Sequence, residues 1–133
     1  MTPTDLIAST LSNAKTLDES TKWLQRLCSD DCEIRYDGTV VLYDRKHLFD
    51  RINGLHVSFR SDEHPPPHFH VKGNGIDASF SITTGEHLVG TLDAKHRRAV
   101  TFWFKHSRRL LIDTWNRTRP IDCPVGPIHE RDA

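Results

Sequence analysis

Three histidines surround a run of three prolines in segment 64–70, His-Pro-Pro-Pro-His-Phe-His. A proline run has no backbone N–H donors and holds the chain in an extended left-handed conformation. Imidazole titrates near neutral pH and is a common metal ligand. We therefore expect the segment to present a functional edge, with His64, His68 and His70 as candidate catalytic residues.

The residues after the prolines alternate between apolar and polar, as in a strand with one buried face. This places His68, His70 and Lys72 on the solvent side, and Lys72 becomes a fourth candidate catalytic residue. An Asn-Gly turn at 74–75 would fix the pairing with the next strand so that polar residues meet polar ones. The predicted pairs are Lys72–Asp77, Val71–Ala78, His70–Ser79, Phe69–Phe80 and His68–Ser81.

The strand from Leu55 onward places His56, Ser58 and Arg60 on one face, and His56 and Arg60 are predicted to bind a ligand there. Two imidazoles two positions apart on a strand suit a Zn²⁺ ion, with Cα atoms about 6.5 Å apart. The third ligand would then come from His56, Glu63, His64 or Asp77; the set His56, His68 and His70 is the simplest.

Metal-free acid–base chemistry on a phosphodiester is the alternative for the same residues. His68 and His70 would act as acid and base, and Lys72, Arg60 and His56 would stabilise negative charge. A structural interpretation also stands: the prolines can protect a sheet edge, and the histidines can be ordinary partners of Ser79 and Ser81.

Residues 93–119 carry eight basic and two acidic side chains, a net charge of +6. Arg98, Lys105 and Arg109, with Arg108, fall opposite the apolar stripe of the helix predicted there. A basic helix face can bind nucleic-acid phosphates or an acidic protein, although such a face is often only solvated. This is the third hypothesis, binding without chemistry.

The elements that must position these residues predict an α+β fold. Two short N-terminal helices (5–14, and 18–28 with Asp18 as N-cap) precede a hairpin with a type I′ turn at Asp37-Gly38. A helical turn over 44–52 and an antiparallel meander from Leu55 to about Leu92 follow. A long helix from Ala94 to about Arg117, capped by Asp93, then covers the apolar sheet face, and 119–133 form a mobile tail.

Composition limits the class of protein. The formal net charge is zero, and no apolar run approaches the roughly 20 residues that cross a bilayer. The N-terminus lacks a signal-like pattern. Three cysteines, Cys28, Cys32 and Cys123, are too few for a disulfide framework. We expect reduced thiols and a cytoplasmic location.

The proline–histidine segment, the alternating strand after it and the late Trp115-Asn116 resemble a bacterial family of domains of unknown function. Its hallmark is a His-Pro-Pro-Pro-His-x-His-Val segment, and the resemblance covers about Leu55 to Arg117. Its members often have a small neighbouring gene, as in toxin–antitoxin modules, and have been proposed to supply the toxin. The resemblance thus implies an antitoxin-like partner protein.

We therefore predict an N-terminal extension (1–54), an α+β domain (55–118) and a tail (119–133), packed as one unit. The leading hypothesis is the toxin component of a type II toxin–antitoxin-like module that acts on RNA or another macromolecule through the histidine edge, as a metal-independent ribonuclease without a cofactor. The alternatives are a non-catalytic protein- or nucleic-acid-binding module and a Zn²⁺-dependent hydrolase.

Overall fold

The computed structural model describes residues 2–29, 32–42, 55–59, 67–73, 75–118 and 127–128. Within these ranges the α+β architecture is confirmed, with two short N-terminal helices, two antiparallel sheets and one long C-terminal helix. The predicted turn over 44–52 lies outside the described residues. The elements are α1 (Pro3–Asn13), α2 (Leu17–Leu27), β1 (Cys32–Ile34), β2 (Val40–Leu42), β3 (His56–Ser58), β4 (His68–Gly73), β5 (Ile76–Ser81), β6 (His87–Thr91) and α3 (Ala94–Thr118).

Side-chain caps set where the helices begin. At α3, the predicted N-cap is confirmed, since Asp93 Oδ1 accepts a hydrogen bond from the His96 N–H at 2.8 Å. At α2, the prediction of Asp18 is wrong: Thr16 is the N-cap, and its hydroxyl accepts from the Glu19 N–H at 3.2 Å. Glu19 in turn accepts from the Lys15 N–H at 3.1 Å. This reciprocal arrangement resembles a capping box and places Asp18 inside the first turn.

The β1–β2 hairpin forms where predicted, but its turn differs. Arg35 pairs with Thr39, and the Gly38 N–H donates to the Arg35 carbonyl at 2.9 Å, so the loop has three residues rather than two. Gly38 has φ of +87°, and Asp37 Oδ1 accepts from the Thr39 N–H at 2.9 Å. The Asp37 carboxylate therefore stabilises a three-residue loop in place of the predicted two-residue type I′ turn.

The second sheet is a four-stranded antiparallel meander in the order β3-β4-β5-β6. All five predicted β4–β5 pairs are confirmed, from His68–Ser81 to Lys72–Asp77. Phe69 and Val71 are buried, while His68 and His70 are half-buried and Lys72 is exposed. The alternation along β4 therefore sends the aromatic and the imidazole side chains to opposite faces.

α3 packs on the apolar face of this sheet. The Phe69 ring stacks between those of Phe80 and Phe104, with centroid distances of 5.4 and 6.0 Å, and meets Trp103 edge-on at 5.7 Å. The other side of α3 contacts α1, α2 and β1. One continuous hydrophobic core joins residues of the N-terminal helices and hairpin to those of the meander and α3.

The predicted mobile tail is anchored at Ile128. This side chain is buried, and the Asn116 amide makes two hydrogen bonds to its backbone: Nδ2 donates to the carbonyl at 2.8 Å, and Oδ1 accepts from the N–H at 2.7 Å. The prediction of a mobile tail does not hold at Ile128, because the Asn116 side chain bonds both its backbone N–H and its backbone carbonyl. The remaining residues of 119–133, apart from Pro127, lie outside the described ranges.

Cys28 and Cys32 are both buried, and the two are not joined in a disulfide. Burial raises the pKa of Cys28 to about 12. Since the thiolate is the form that binds metal, this environment opposes a metal site at the pair. Cys123 lies outside the described residues.

None of the described helices is both long enough and apolar enough to cross a membrane.

Two glycines with similar backbone angles test the sheet geometry. A methyl group at Gly38 (φ +87°) would point into open space, whereas a Cβ at Gly90 (φ +92°) would overlap the backbone carbonyl of Asp77. We expect Gly38→Ala to lower the free energy of unfolding by about 1–2 kcal/mol, the cost of the left-handed conformation. Gly90→Ala should cost roughly 1–3 kcal/mol more, because the strands must separate. Urea unfolding of both variants measures this; equal losses would contradict the β5–β6 packing.

The alternation along β4 predicts unequal costs for neighbouring residues. Phe69→Ala should lower the free energy of unfolding by about 3–5 kcal/mol, because it empties the centre of the aromatic cluster. The double substitution His68→Ala/His70→Ala should cost less than about 2 kcal/mol, because both rings lie on the outer face. Urea unfolding monitored by tryptophan fluorescence measures both losses. A double variant as unstable as Phe69→Ala would show that the histidines are part of the core.

Candidate functional site

The outer face of β4 brings two of the candidate catalytic histidines together. The ring centroids of His68 and His70 are 5.0 Å apart, and the ring planes meet at 61°, an edge-on contact. Both side chains are half-buried, and the exposed Lys72 follows on the same face. The strand thus presents two imidazoles and one ammonium group in a row, as the sequence predicts.

The neighbouring strand β3 adds His56 to this face. His56 is paired with Lys72, and Ser58 is paired with His70. His56 is therefore diagonal to His70, a relation in which Cα atoms are about 7–8 Å apart. We call the surface formed by His56, His68, His70 and Lys72 the histidine face.

The serines opposite the two histidines lie deep in the sheet, with only 6% of Ser79 and 3% of Ser81 exposed. The Ser81 hydroxyl accepts hydrogen bonds from the N–H groups of Thr83 and Thr84, both at 3.2 Å. It also bonds the Thr83 hydroxyl at 2.9 Å. Ser81 therefore holds the β5–β6 turn behind His68, and its hydroxyl is committed to that turn.

In the described sheet β4 pairs with both β3 and β5, so His68 and His70 lie on the face of an inner strand and not at a sheet edge as expected. Two further candidates, His64 and Arg60, lie outside the described residues, as does Glu63. Where the structure does describe the chain, no group of three His, Cys, Asp or Glu side chains could hold a metal ion. The conditional Zn²⁺ set of His56, His68 and His70 is thus not assembled: His56 lies beside Lys72 and not beside the two paired rings.

The three other residues predicted to bind a ligand, Arg98, Lys105 and Arg109, lie on α3 and not in the four-stranded sheet. Lys105 and Arg109 are exposed. Arg98 is half-buried: its Nε donates to the Ile34 carbonyl at 2.7 Å, and its guanidinium carbon lies 4.4 Å from the centroid of the Tyr36 ring. Arg108 is likewise partly engaged, since its Nε donates to the Thr83 carbonyl at 3.0 Å. Half of this basic set therefore holds other elements in place.

The structure also contains a cleft of about 520 Å³ that the sequence does not predict. We call it the hairpin cleft, because the β1–β2 turn forms one wall and the other two are α1 and the first half of α3. Its charged and aromatic lining is Asp5, Arg35, Tyr36, Asp37, Arg97, Arg98, Phe102, Lys105 and His106. The sequence signal for this cleft is Tyr36, an aromatic residue next to the predicted turn. The position of Tyr36 against α3, however, depends on contacts between residues that are distant in sequence.

A comparison with known protein families covers the region that contains this site. Residues 54–116, just under half of the chain, match a family described as a domain of unknown function, DUF4160. No curated protein and no solved structure matches the chain significantly. The region from β3 to near the end of α3, including the described histidine face, is thus similar to a domain family whose description states no activity.

Proposed function

We propose that the protein is the toxin component of a type II toxin–antitoxin-like module in a bacterial cytoplasm, and that it acts on RNA through the histidine face. The observation that carries this proposal is the pair of imidazoles 5.0 Å apart on the outer face of β4, with Lys72 next to them. The match of 54–116 to a domain family, together with the proline–histidine segment, supports it.

The chemistry is metal-independent cleavage of a phosphodiester. One neutral imidazole of the His68–His70 pair removes the proton from a ribose 2′-hydroxyl, which attacks the adjacent phosphorus. The second imidazole, in its protonated form, donates a proton to the departing 5′-oxygen. Lys72 and His56 supply positive charge to the phosphate as negative charge develops on it.

The contact between the two rings constrains this mechanism. A phosphate does not fit between imidazoles whose centroids are 5.0 Å apart. Rotation of one side chain about χ1 opens the gap, and for side chains on the outer face of β4 this requires no backbone movement. RNA binding and ring separation therefore occur together in the proposed reaction.

A second candidate function is a binding module without catalysis, whose partner is an antitoxin-like protein or a nucleic acid. The exposed Lys105 and Arg109, four residues apart on one side of α3, favour it. A Zn²⁺-dependent hydrolase has less support, because at least one of its ligands would have to come from residues outside the described ranges.

Inducible expression in a bacterial host tests the leading proposal. The wild-type chain should arrest growth and degrade cellular RNA, and His68→Ala/His70→Ala should abolish both effects while unfolding at nearly the same urea concentration. Purified protein should cleave RNA in the presence of EDTA, because no metal takes part. Growth curves, total RNA integrity and a fluorogenic RNA substrate provide the measurements.

A matched control is available on the same sheet. Val89→Ala/Thr91→Ala replaces two exposed side chains at the same spacing on β6, two strands away from β4 in the same sheet, so it perturbs the sheet but leaves all four side chains of the histidine face in place. It should remain as toxic as the wild type. Wild-type expression without growth arrest or RNA cleavage contradicts the proposal; RNA cleavage that EDTA abolishes supports the metal hydrolase instead.

A further inference from the structure

The hairpin cleft has the size and lining of a small-ligand site. Its volume of about 520 Å³ lies within the usual range for such pockets. Ile34 and Phe102, both buried, form an apolar floor with Ala8. Among the described residues, none of β3–β6 lines it, so it is separate from the histidine face.

The charged groups at the rim favour an anion. Four basic side chains, those of Arg35, Arg97, Arg98 and Lys105, face only two carboxylates. Both carboxylates already serve local structure. Asp5 accepts from the Thr2 hydroxyl at 2.8 Å, and Asp37 accepts from the Thr39 N–H, which lowers its pKa.

Two of the four cations remain available to a ligand. Arg97 bonds His87 at 3.2 Å, and Arg98 is fixed to the hairpin by its bond to the Ile34 carbonyl. Arg35 and Lys105 are exposed and form no ion pair with any described residue. These two side chains can turn toward a phosphate without breaking a hydrogen bond or ion pair to a described residue; Arg35 exerts only an electrostatic effect on the neighbouring Asp37.

Tyr36 provides a flat aromatic surface beside these cations. It is 92% exposed, the most exposed of the large hydrophobic side chains in the described ranges. The guanidinium of Arg98, itself held by Ile34, lies 4.4 Å from the ring centroid and restricts the ring's motion. An aromatic ring that is exposed, positioned and flanked by cations is suited to stack on a nucleobase.

His106 supplies a hydrogen-bonding group at the cleft wall. Its ring lies 4.9 Å from that of Phe102, and burial, assisted by Lys105, lowers its pKa. The imidazole is therefore mostly neutral near pH 7 and offers one donor and one acceptor. A base edge can use both.

We propose that the hairpin cleft binds a nucleotide, with the base stacked on Tyr36 and the phosphate held by Arg35 and Lys105. The same chemistry is present in a free nucleoside monophosphate and in a nucleotide of single-stranded RNA. The proposal does not depend on catalysis at β4: it holds whether or not the histidine face cleaves RNA.

The test is titration of the full chain with AMP, UMP, adenosine, inorganic phosphate and a hexameric single-stranded RNA that carries 2′-O-methyl groups to prevent cleavage. Calorimetry gives the affinity, and ¹H–¹⁵N NMR shifts locate the site. We expect AMP to bind more tightly than adenosine or phosphate alone, with shifts at 35–38 and 101–106 and none along β4. If both AMP and the hexamer bind, the cleft recognises a nucleotide whether it is free or part of RNA. If only the hexamer binds, the ligand is single-stranded RNA.

Variants separate stacking from charge. Tyr36→Ala should weaken binding about tenfold or more, the effect of losing one base–aromatic stack, whereas Tyr36→Phe should retain it. Lys105→Ala should reduce the salt dependence of hexamer binding by about one in the log–log slope. Lys15→Ala removes an exposed lysine between α1 and α2, outside the cleft and away from His56, and should change neither quantity.

Three results would overturn the inference. One is no binding of either AMP or the hexamer. Another is an equal affinity for phosphate and for AMP that Tyr36→Ala does not change, which would show that the cleft binds an anion without recognising the base. The third is binding that persists in Tyr36→Ala and Lys105→Ala but is lost in His68→Ala/His70→Ala, which would assign nucleotide binding to β4. If the wild-type protein binds AMP at the cleft but does not cleave RNA, the proposed catalysis is refuted and the inference about the cleft stands.

Discussion

The indole of Trp103 joins the layers of this molecule. Its ring meets Phe69 of β4 on one side, and its Nε1–H donates to the Ser20 carbonyl of α2 at 2.9 Å on the other. One turn later, the Ser107 hydroxyl bonds that of Ser20 at 2.8 Å, so both polar groups are satisfied in a buried place. Because a single helix is fixed to the sheet and to the N-terminal helices at once, the positions of both candidate sites depend on how α3 is packed.

The histidine face follows from this packing through the geometry of a strand. Once Phe69 and Val71 are buried against α3, the period of two along β4 requires His68, His70 and Lys72 to point outward. Their proximity to one another is therefore a consequence of the register and carries little information about function by itself. The informative observation is chemical: two imidazoles and an amine fill positions where any polar side chain would satisfy the fold.

Local patterns predict much of this structure, and the errors share a cause. Alternation and the Asn-Gly turn suffice for the β4–β5 register, and apolar spacing with Asp93 suffices for α3. The preference of aspartate for caps favours Asp18. In the structure, the Thr16 hydroxyl accepts from the Glu19 N–H and the Glu19 carboxylate accepts from the Lys15 N–H, a pair of bonds that a single-residue preference does not detect. The hairpin loop departs from its prediction in the same way, because the Asp37 side chain has a backbone partner of its own.

The hairpin cleft is beyond local reasoning for a different reason. The hairpin is placed on α3 by the bond of Arg98 to Ile34 and on α1 by that of the Val40 N–H to Thr4, which join residues far apart in sequence. Periodicity indicates Arg98 as one member of an outward basic row, whereas in the structure it orients Tyr36. The fixed position of Ile128 is not predictable from local sequence for the same reason, because its backbone is bonded by Asn116, near the end of α3.

The two surfaces also differ in what they can contribute to an interaction with nucleic acid. Four lysine and arginine side chains line the cleft, so that side of α3 attracts phosphates although the whole chain has no net charge. The histidine face is on the far side of the four-stranded sheet, with that sheet and α3 between the two surfaces. One nucleotide cannot contact both, so a phosphate bound at Arg35 and Lys105 is not the one that β4 would cleave. An RNA that used both sites would have to pass around the edge of the sheet, and the affinity provided by the cleft would then act as a tether and not as part of the catalytic geometry.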